Sequence, residues 1–396
     1  MKTILTNGRI VLKEQILEGQ ELVLENGKIS EIRPFRKDES REGTDVVYDA
    51  EENYIMPGMI DIHSDMIESY IQPRSTAVME FDMGLLEAER VLAGCGITTM
   101  FHSISMYREG SWDVKEIRQA PQVRKLAELI GSYRHQRRMI RHRYHLRYEI
   151  DNLACYDKVM EMMEEGLVDL LSFMDHTPGQ GQYKNLDIYR KHQPNAGKDL
   201  TEEEFEQLVD GEMKKKVITF EQLKKLTDCA KNKNISIASH DDDTIEKLEI
   251  NEQLGVKISE FPITMEVAKK AVEKGFLTVL GAPNILLGGS HSGNLSALTA
   301  IQEGAASVLV SDYYPQAMLQ SVFWLEREAG IPLWEAVKYV TLNPAKAVGM
   351  EKSLGSIEIG KKADLLVVDA KGKYPVPRQV YVNGECVMEC QYRKAD

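Results

Sequence analysis

The sequence has no run of about 18 apolar residues, the length that a membrane-spanning helix needs. It is equally poor in cysteine. The five present (Cys95, Cys155, Cys229, Cys386 and Cys390) are odd in number, scattered and without a CxxC pair, which argues against a disulfide framework and for reduced thiols. An excess of basic charge is also missing. Sixty-two acidic residues against 49 basic ones give a net charge of −13, which disfavours nucleic acid and repels an anionic membrane. The opening residues, MKTILTNGRIVLKE, turn polar too soon for a secretory signal. What remains is an ordinary globular composition, 43% apolar and 28% charged. The expectation is a cytoplasmic protein that engages neither nucleic acid nor membrane.

Both ends of the 396-residue chain read as short strands and tight turns. Near the N-terminus, Thr3–Leu12, Leu22–Leu24 and Lys28–Ile32 are split by Asn7-Gly8 and Asn26-Gly27, pairs that accept positive φ. Near the C-terminus, Ala363–Asp369 and Gln379–Val382 precede Asn383-Gly384. The middle alternates short apolar runs with longer amphipathic stretches. The runs are Met59–His63, Ile97–His102, His145–Ile150, Val168–Met174, Ile235–His240, Val256–Phe261, Leu277–Gly281 and Ser307–Ser311. The stretches include Gly84–Ala93, Tyr156–Glu165, Phe220–Lys231 and Tyr314–Ala329. Short, turn-bounded apolar runs suit buried parallel strands, and eight of them with helical spacers predict an α/β fold, a (β/α)8 TIM barrel. The expected division is a small β-sandwich domain formed by both termini (residues 1–57 and 346–396) around a barrel at 58–345. A long polar insertion at 175–219 reads as a lid, a partner contact or a passive excursion.

The histidines carry the strongest signal. His63, His176 and His240 fall at or just past the ends of expected strands, the face on which barrel enzymes carry their chemistry. In Met59-Ile60-Asp61-Ile62-His63-Ser64-Asp65, strand alternation pairs His63 with Asp65, an imidazole and a carboxylate that suit Zn2+ or a similar ion. Glu149 ends His145-Leu146-Arg147-Tyr148-Glu149 and is placed to bridge two metals, with Arg147 deeper and structural. Asp312 follows the last strand. It is expected both to touch the metal and to act as general base toward a water whose pKa the metal lowers to about 7. The metal set is thus His63, Asp65, Glu149, His176, His240 and Asp312. After His240, Asp241 is expected to orient a ligand, while Asp242 and Asp243 read as a solvated turn.

Two further stretches bear on anions. Gly288, Gly289, Ser290, His291, Ser292, Gly293 and Asn294, following Gly281-Ala282-Pro283-Asn284, combine free backbone N–H groups with polar donors, a candidate phosphate cradle. Arg134, Arg137, Arg138, Arg141, Arg143 and Arg147 crowd one region, with Arg134, Arg138 and Arg141 on one face if it is helical. That region reads as a solvated helix or as an attractor for a polyanionic substrate. Arg74 is a second candidate phosphate partner.

With these motifs in place, the sequence resembles the amidohydrolase superfamily over nearly its whole length. Pro57-Gly58-Met59-Ile60-Asp61-Ile62-His63 looks like its first-strand entry. Asn343-Pro344-Ala345-Lys346-Ala347, Gly355, Gly360-Lys361-Lys362-Ala363-Asp364 and Val382-Asn383-Gly384 look like its C-terminal signature. Two departures stand out: Asp65 where the superfamily usually has the second histidine of HxH, and no lysine at a suitable strand end, for which Glu149 substitutes.

A narrower resemblance is to the phosphonate-utilisation branch associated with carbon–phosphorus lyase. His63-Ser64-Asp65, Gln72-Pro73-Arg74, Ser239-His240-Asp241-Asp242, Gly281-Ala282-Pro283-Asn284, the 288–294 loop and Ser311-Asp312-Tyr313-Tyr314-Pro315 carry it. This resemblance implies a phosphorylated-sugar substrate, α-D-ribose 1-methylphosphonate 5-triphosphate, hydrolysed to the 5-phosphate and pyrophosphate. It implies one or two divalent ions, Zn2+ or Mn2+, and the other enzymes of phosphonate breakdown as pathway neighbours. Asp312 would be the base, and His291 or Arg74 would stabilise the leaving pyrophosphate. A homo-oligomer is expected, as is common in this superfamily. The competing readings are a deaminase or cyclic-amide hydrolase of the same superfamily, and a non-catalytic scaffold.

Overall fold

A computed structural model describes residues 2–36, 46–108, 115–181, 186, 189–190, 201–289 and 294–391. Eight parallel strands form one sheet in sequential order: β1 (Met59–Ser64), β2 (Ile97–Met106), β3 (Arg141–Glu149), β4 (Leu170–Met174), β5 (Ser236–His240), β6 (Ile258–Glu260), β7 (Leu277–Gly281) and β8 (Val308–Val310). All eight expected runs are strands. Even β6, three residues long, pairs with both neighbours. The sheet curls so that its ends meet: Asp312 N donates to His63 O (3.0 Å) and Asp65 N to Asp312 O (2.9 Å). This nearly closed barrel is filled by Ile60, Ile62, Phe101, Leu170, Ile258 and Val279, each at most 1% exposed. Helices such as Phe81–Cys95, Tyr156–Glu164, Phe220–Asn232 and Gln316–Ala329 pack around it. Among the described residues no helix is long and apolar enough to cross a membrane.

The termini build separate sheets. One has four strands from residues 2–49, and the other combines Arg9–Val11, Ile16–Leu17 and Tyr54–Pro57 with Leu365–Asp369, Val376–Val382 and Glu385–Glu389. Leu5, Leu22, Ile29 and Ile55 share a core with Leu365 and Val367, so hydrophobic burial ties the two chain ends together. Asn26-Gly27 and Asn383-Gly384 are hairpin turns with positive φ at both residues. Gly8 serves otherwise: a Cβ there would lie 2.5 Å from Ile55 Cδ1, so the glycine permits close packing. In the 175–219 insertion, a capping box at Thr201 starts the helix Glu202–Met213.

The basic stretch is not a solvated helix. The preceding helix, Ala120–Tyr133, ends before it, and Arg141–Glu149 is β3. The spacing of 134, 138 and 141 fits a helical face, but His142, Tyr144, Leu146 and Tyr148 alternate with polar residues at period two, and burial of that alternating face decides the outcome. Most of its arginines hold the frame together. Arg134 reaches Asp169 (2.6 Å), Arg143 approaches the same carboxylate (3.5 Å), and Arg141 pairs with Asp364 of the terminal sheet.

Candidate functional site

At the C-terminal ends of the strands lies a cavity of about 390 Å³. The ends of β1, β5 and β8 deliver His63, Asp65, His240 and Asp312 to it, and the segment after β4 delivers His176. Strand alternation alone would send His63 to the side opposite Ile60 and Ile62. The register slips between Asp61 and Ser64, and the His63 ring instead sits 5.2 Å from that of His145 and 5.4 Å from that of His240. Asp61 braces this irregularity, its Oδ1 accepting from His63 N and Ser311 N at 3.3 Å each. Burial pushes the Asp61 pKa up to about 7.

Three rim residues adopt the left-handed region: Asp241 (φ 53°), Phe261 (φ 52°) and Asp312 (φ 59°). Asp241 and Phe261 directly follow β5 and β6, and Asp312 stands two residues after the end of β8. Such a conformation costs about 1–3 kcal/mol per residue and persists where surrounding structure enforces it, commonly at functional sites. Here it turns the chain sharply at the rim.

Each rim histidine has its Nδ1 against a carboxylate. His63 Nδ1 lies 2.8 Å from Glu260 Oε1, His240 Nδ1 lies 2.9 Å from Asp241 Oδ2, and His176 Nδ1 lies 2.9 Å from Glu149 Oε1. His63 and His176 are hydrogen-bonded through Nδ1, whereas the His240 contact lacks hydrogen-bond geometry; an imidazole engaged through Nδ1 presents Nε2 to another partner. Burial, then the Arg147 charge, holds His63 well below its ordinary pKa. Burial also disfavours charge on His176, but the Glu149 carboxylate outweighs it and raises that pKa. Burial and then the neighbouring Asp65 carboxylate push Asp312 up to about 6.

The cavity therefore gathers His63, Asp65, His176, His240 and Asp312, with Glu149 behind His176. Of the glycine-rich loop, Gly289 and Asn294 line the cavity, Gly288 caps the helix Ala282–Leu287, and Ser290, His291 and Ser292 lie outside the described residues. Arg74 sits on an exposed turn bridged to Ala77 and is not among the lining residues. Asp242 is fully buried rather than part of a solvated turn. It accepts from Ser239 Oγ (2.6 Å), Ser259 Oγ (2.5 Å) and Asn251 Nδ2 (2.9 Å), which is how three consecutive aspartates are accommodated.

Sequence reasoning missed one cation of the wall, Arg118, and placed the other, Arg147, deeper in the strand. Arg118 lines the cavity, held by Glu68 through paired contacts of 2.5 and 3.0 Å and by the Tyr107 hydroxyl at 2.9 Å. Arg147, read from the sequence as structural, also lines it, and its Nε has no hydrogen-bond partner among the described residues. Strand parity with Glu149 was the available signal. Glu260 went unnoticed because it lies inside the run Val256–Phe261, outside every motif singled out there.

Residues 190–388 match the amidohydrolase family. The chain is 31% identical, over 94% of its length and 96% of the relative's, to the α-D-ribose 1-methylphosphonate 5-triphosphate diphosphatase of Escherichia coli (strain K12). A shorter match, 45% identical but covering 12% of this chain and 11% of the relative, is to a 5-methylthioadenosine/S-adenosylhomocysteine deaminase of Moorella thermoacetica. Among solved structures, the N-acetylglucosamine-6-phosphate deacetylase of Pasteurella multocida superposes with a TM-score of 0.65 at 14% identity, over 98% of this chain and 99% of that one, a likeness of fold. Family match, near-full-length identity and barrel agree: the chain belongs to the amidohydrolase family and is a hydrolase.

Proposed function

We propose that the chain is a metal-dependent diphosphatase that hydrolyses α-D-ribose 1-methylphosphonate 5-triphosphate, or a closely related sugar triphosphate, to the 5-phosphate and pyrophosphate. The observation that carries this reading is a single cavity lined both by histidines and aspartates and by two arginines, Arg118 and Arg147. The near-full-length likeness to the Escherichia coli diphosphatase supports the same substrate class.

The residues fit a divalent cation. His63, His176 and His240 offer nitrogen, while Asp65 and Asp312 offer oxygen, the mixed donor set that suits zinc or manganese. Burial and then the Asp65 carboxylate raise the pKa of Asp312, and a cation would relieve the second of these. When bound, such a cation lowers the pKa of water and neutralises phosphate oxygens.

The chain's own residues supply the rest. Arg147 and Arg118 bind phosphate oxygens through charge-assisted hydrogen bonds and fix the triphosphate in the cavity. Asp312 takes a proton from the attacking water. The water oxygen bonds to phosphorus on one side of the anhydride bridge, the bond on that side breaks, and the bridging oxygen leaves with the other product. The other enzymes of phosphonate breakdown would be its pathway neighbours.

The test is pyrophosphate release from ribose 5-triphosphate substrates by Zn2+- or Mn2+-loaded protein. Asp312→Asn should lose about 10²–10⁴ in kcat, the worth of a positioned base. Equal rates in the two proteins would remove Asp312 as base. No pyrophosphate from either would remove the diphosphatase reading.

A further inference from the structure

Glu260 belongs to none of the motifs discussed above, yet it is 0% exposed at the end of β6. Its Oε1 accepts from His63 Nδ1 at 2.8 Å. Its Oε2 has no hydrogen-bond partner among the described residues, although His145 Nε2 stands 3.8 Å away. The His145 ring is fixed in turn. Its Nδ1 lies 3.0 Å from the Ile62 carbonyl oxygen, which can only accept, and 2.9 Å from the Ser103 hydroxyl, which donates to the Phe101 carbonyl at 3.2 Å; Nδ1 is thus the donor and Nε2 accepts from the Ser172 hydroxyl at 3.0 Å. His145 therefore offers Glu260 no proton from the nearer nitrogen. A half-satisfied carboxylate, buried without a cationic partner in hydrogen-bond reach, costs a folded chain stability, and so calls for a purpose.

We infer that Glu260 is a positioning residue. It locks His63 as the Nδ1–H tautomer, turns Nε2 toward the cavity and, through its charge, strengthens that nitrogen as a metal donor. This rests on the metal reading above. Three observations support it. Glu260 and His145 are not among the cavity-lining residues, whereas His63 is, so both stand behind the imidazole rather than beside substrate. His63, His145 and Glu260 bring one donor atom each within 4.8 Å of one another, all buried, so the carboxylate sits directly against the imidazoles. The Phe261 ring, centred 5.1 Å from both the His63 and His240 rings, walls the group on another side. Carboxylates placed behind ligating histidines raise ligand basicity, and their removal typically weakens metal binding about 10–100-fold.

The experiment has two readouts other than activity. First, two-bond 1H–15N spectra of histidine-labelled, metal-free protein, with His63→Gln for assignment, should show His63 protonated at Nδ1. Protonation at Nε2 would overturn the inference without any Glu260 variant. Second, Zn2+ affinity by chelator competition should fall about 10–100-fold in Glu260→Gln. Glu260→Asp, which keeps the charge but shortens the reach, should fall between the two. Thermal unfolding of the metal-free proteins serves as the control for folding. If wild type and Glu260→Gln bind Zn2+ equally, the inference fails and the metal reading survives. If wild type binds no divalent ion, the metal reading itself fails and takes this inference with it. If Glu260→Gln does not fold, the wild-type tautomer decides.

Discussion

The two ends of β3 make an instructive comparison. At the entry, Arg141 and Arg143 sit among carboxylates: Arg141 makes a two-point pair with Asp364 and adds Asn383, and Arg143 with Arg134 shares Asp169. Two turns of the pleat later, Arg147 faces the cavity with Nε unbonded among the described residues. One strand carries the same residue type on the same side at both ends. At the closed end, guanidinium groups are spent on fastening the terminal sheet and the next strand to the barrel. At the open end, one is left facing the space where an anionic substrate would sit. Charge in the sequence does not distinguish these roles, but position along a barrel strand does.

Substitutions can break the comparison, and the largest effect is expected at the closed end. Arg141→Ala strands the Asp364 carboxylate, only 3% exposed, and should lower stability by about 3 kcal/mol in chemical denaturation while leaving KM of the folded enzyme unchanged. A change in KM without loss of stability would place Arg141 in the wrong class. At the open end, Arg147→Met keeps the aliphatic stem and removes the charge. It should lower kcat/KM for the triphosphate by about 10–100-fold, the worth of roughly 1.5–3 kcal/mol in hydrogen bonds to a charged group, with Tm nearly unchanged. Retained kcat/KM would remove Arg147 from substrate binding. The smallest effect is expected at Arg137, whose pair with Glu385 is 89% and 66% exposed. Arg137→Ala should leave both Tm and kcat/KM at wild-type values because solvent screens such a pair. A measurable loss in either would mean that the basic stretch acts as a unit.

How much of this was legible in the sequence follows the same division. Barrel strands are legible because burial on both faces demands short apolar runs, and all eight appear as such. The rim histidines are legible because they fall at the ends of those runs. The arginines at 134–143 were misread because their spacing satisfies a helical period as well as a strand, and only the buried Tyr144 and Tyr148 on the other face settle it. Asp242 was misread because three consecutive acidic residues suggest solvent. The partners that make its burial tolerable, Ser239, Ser259 and Asn251, come partly from a neighbouring strand and a helix that only folding brings close. Glu260 was missed for a related reason: its significance lies in His63, 197 residues away in sequence.

The most direct test of the central claim is 31P NMR of the metal-loaded protein acting on α-D-ribose 1-methylphosphonate 5-triphosphate. Pyrophosphate and the 5-phosphate should appear in equal amounts, with the phosphonate signal retained. Orthophosphate as the first product, or an untouched triphosphate alongside turnover of a cyclic amide or an aminopurine, would contradict that claim.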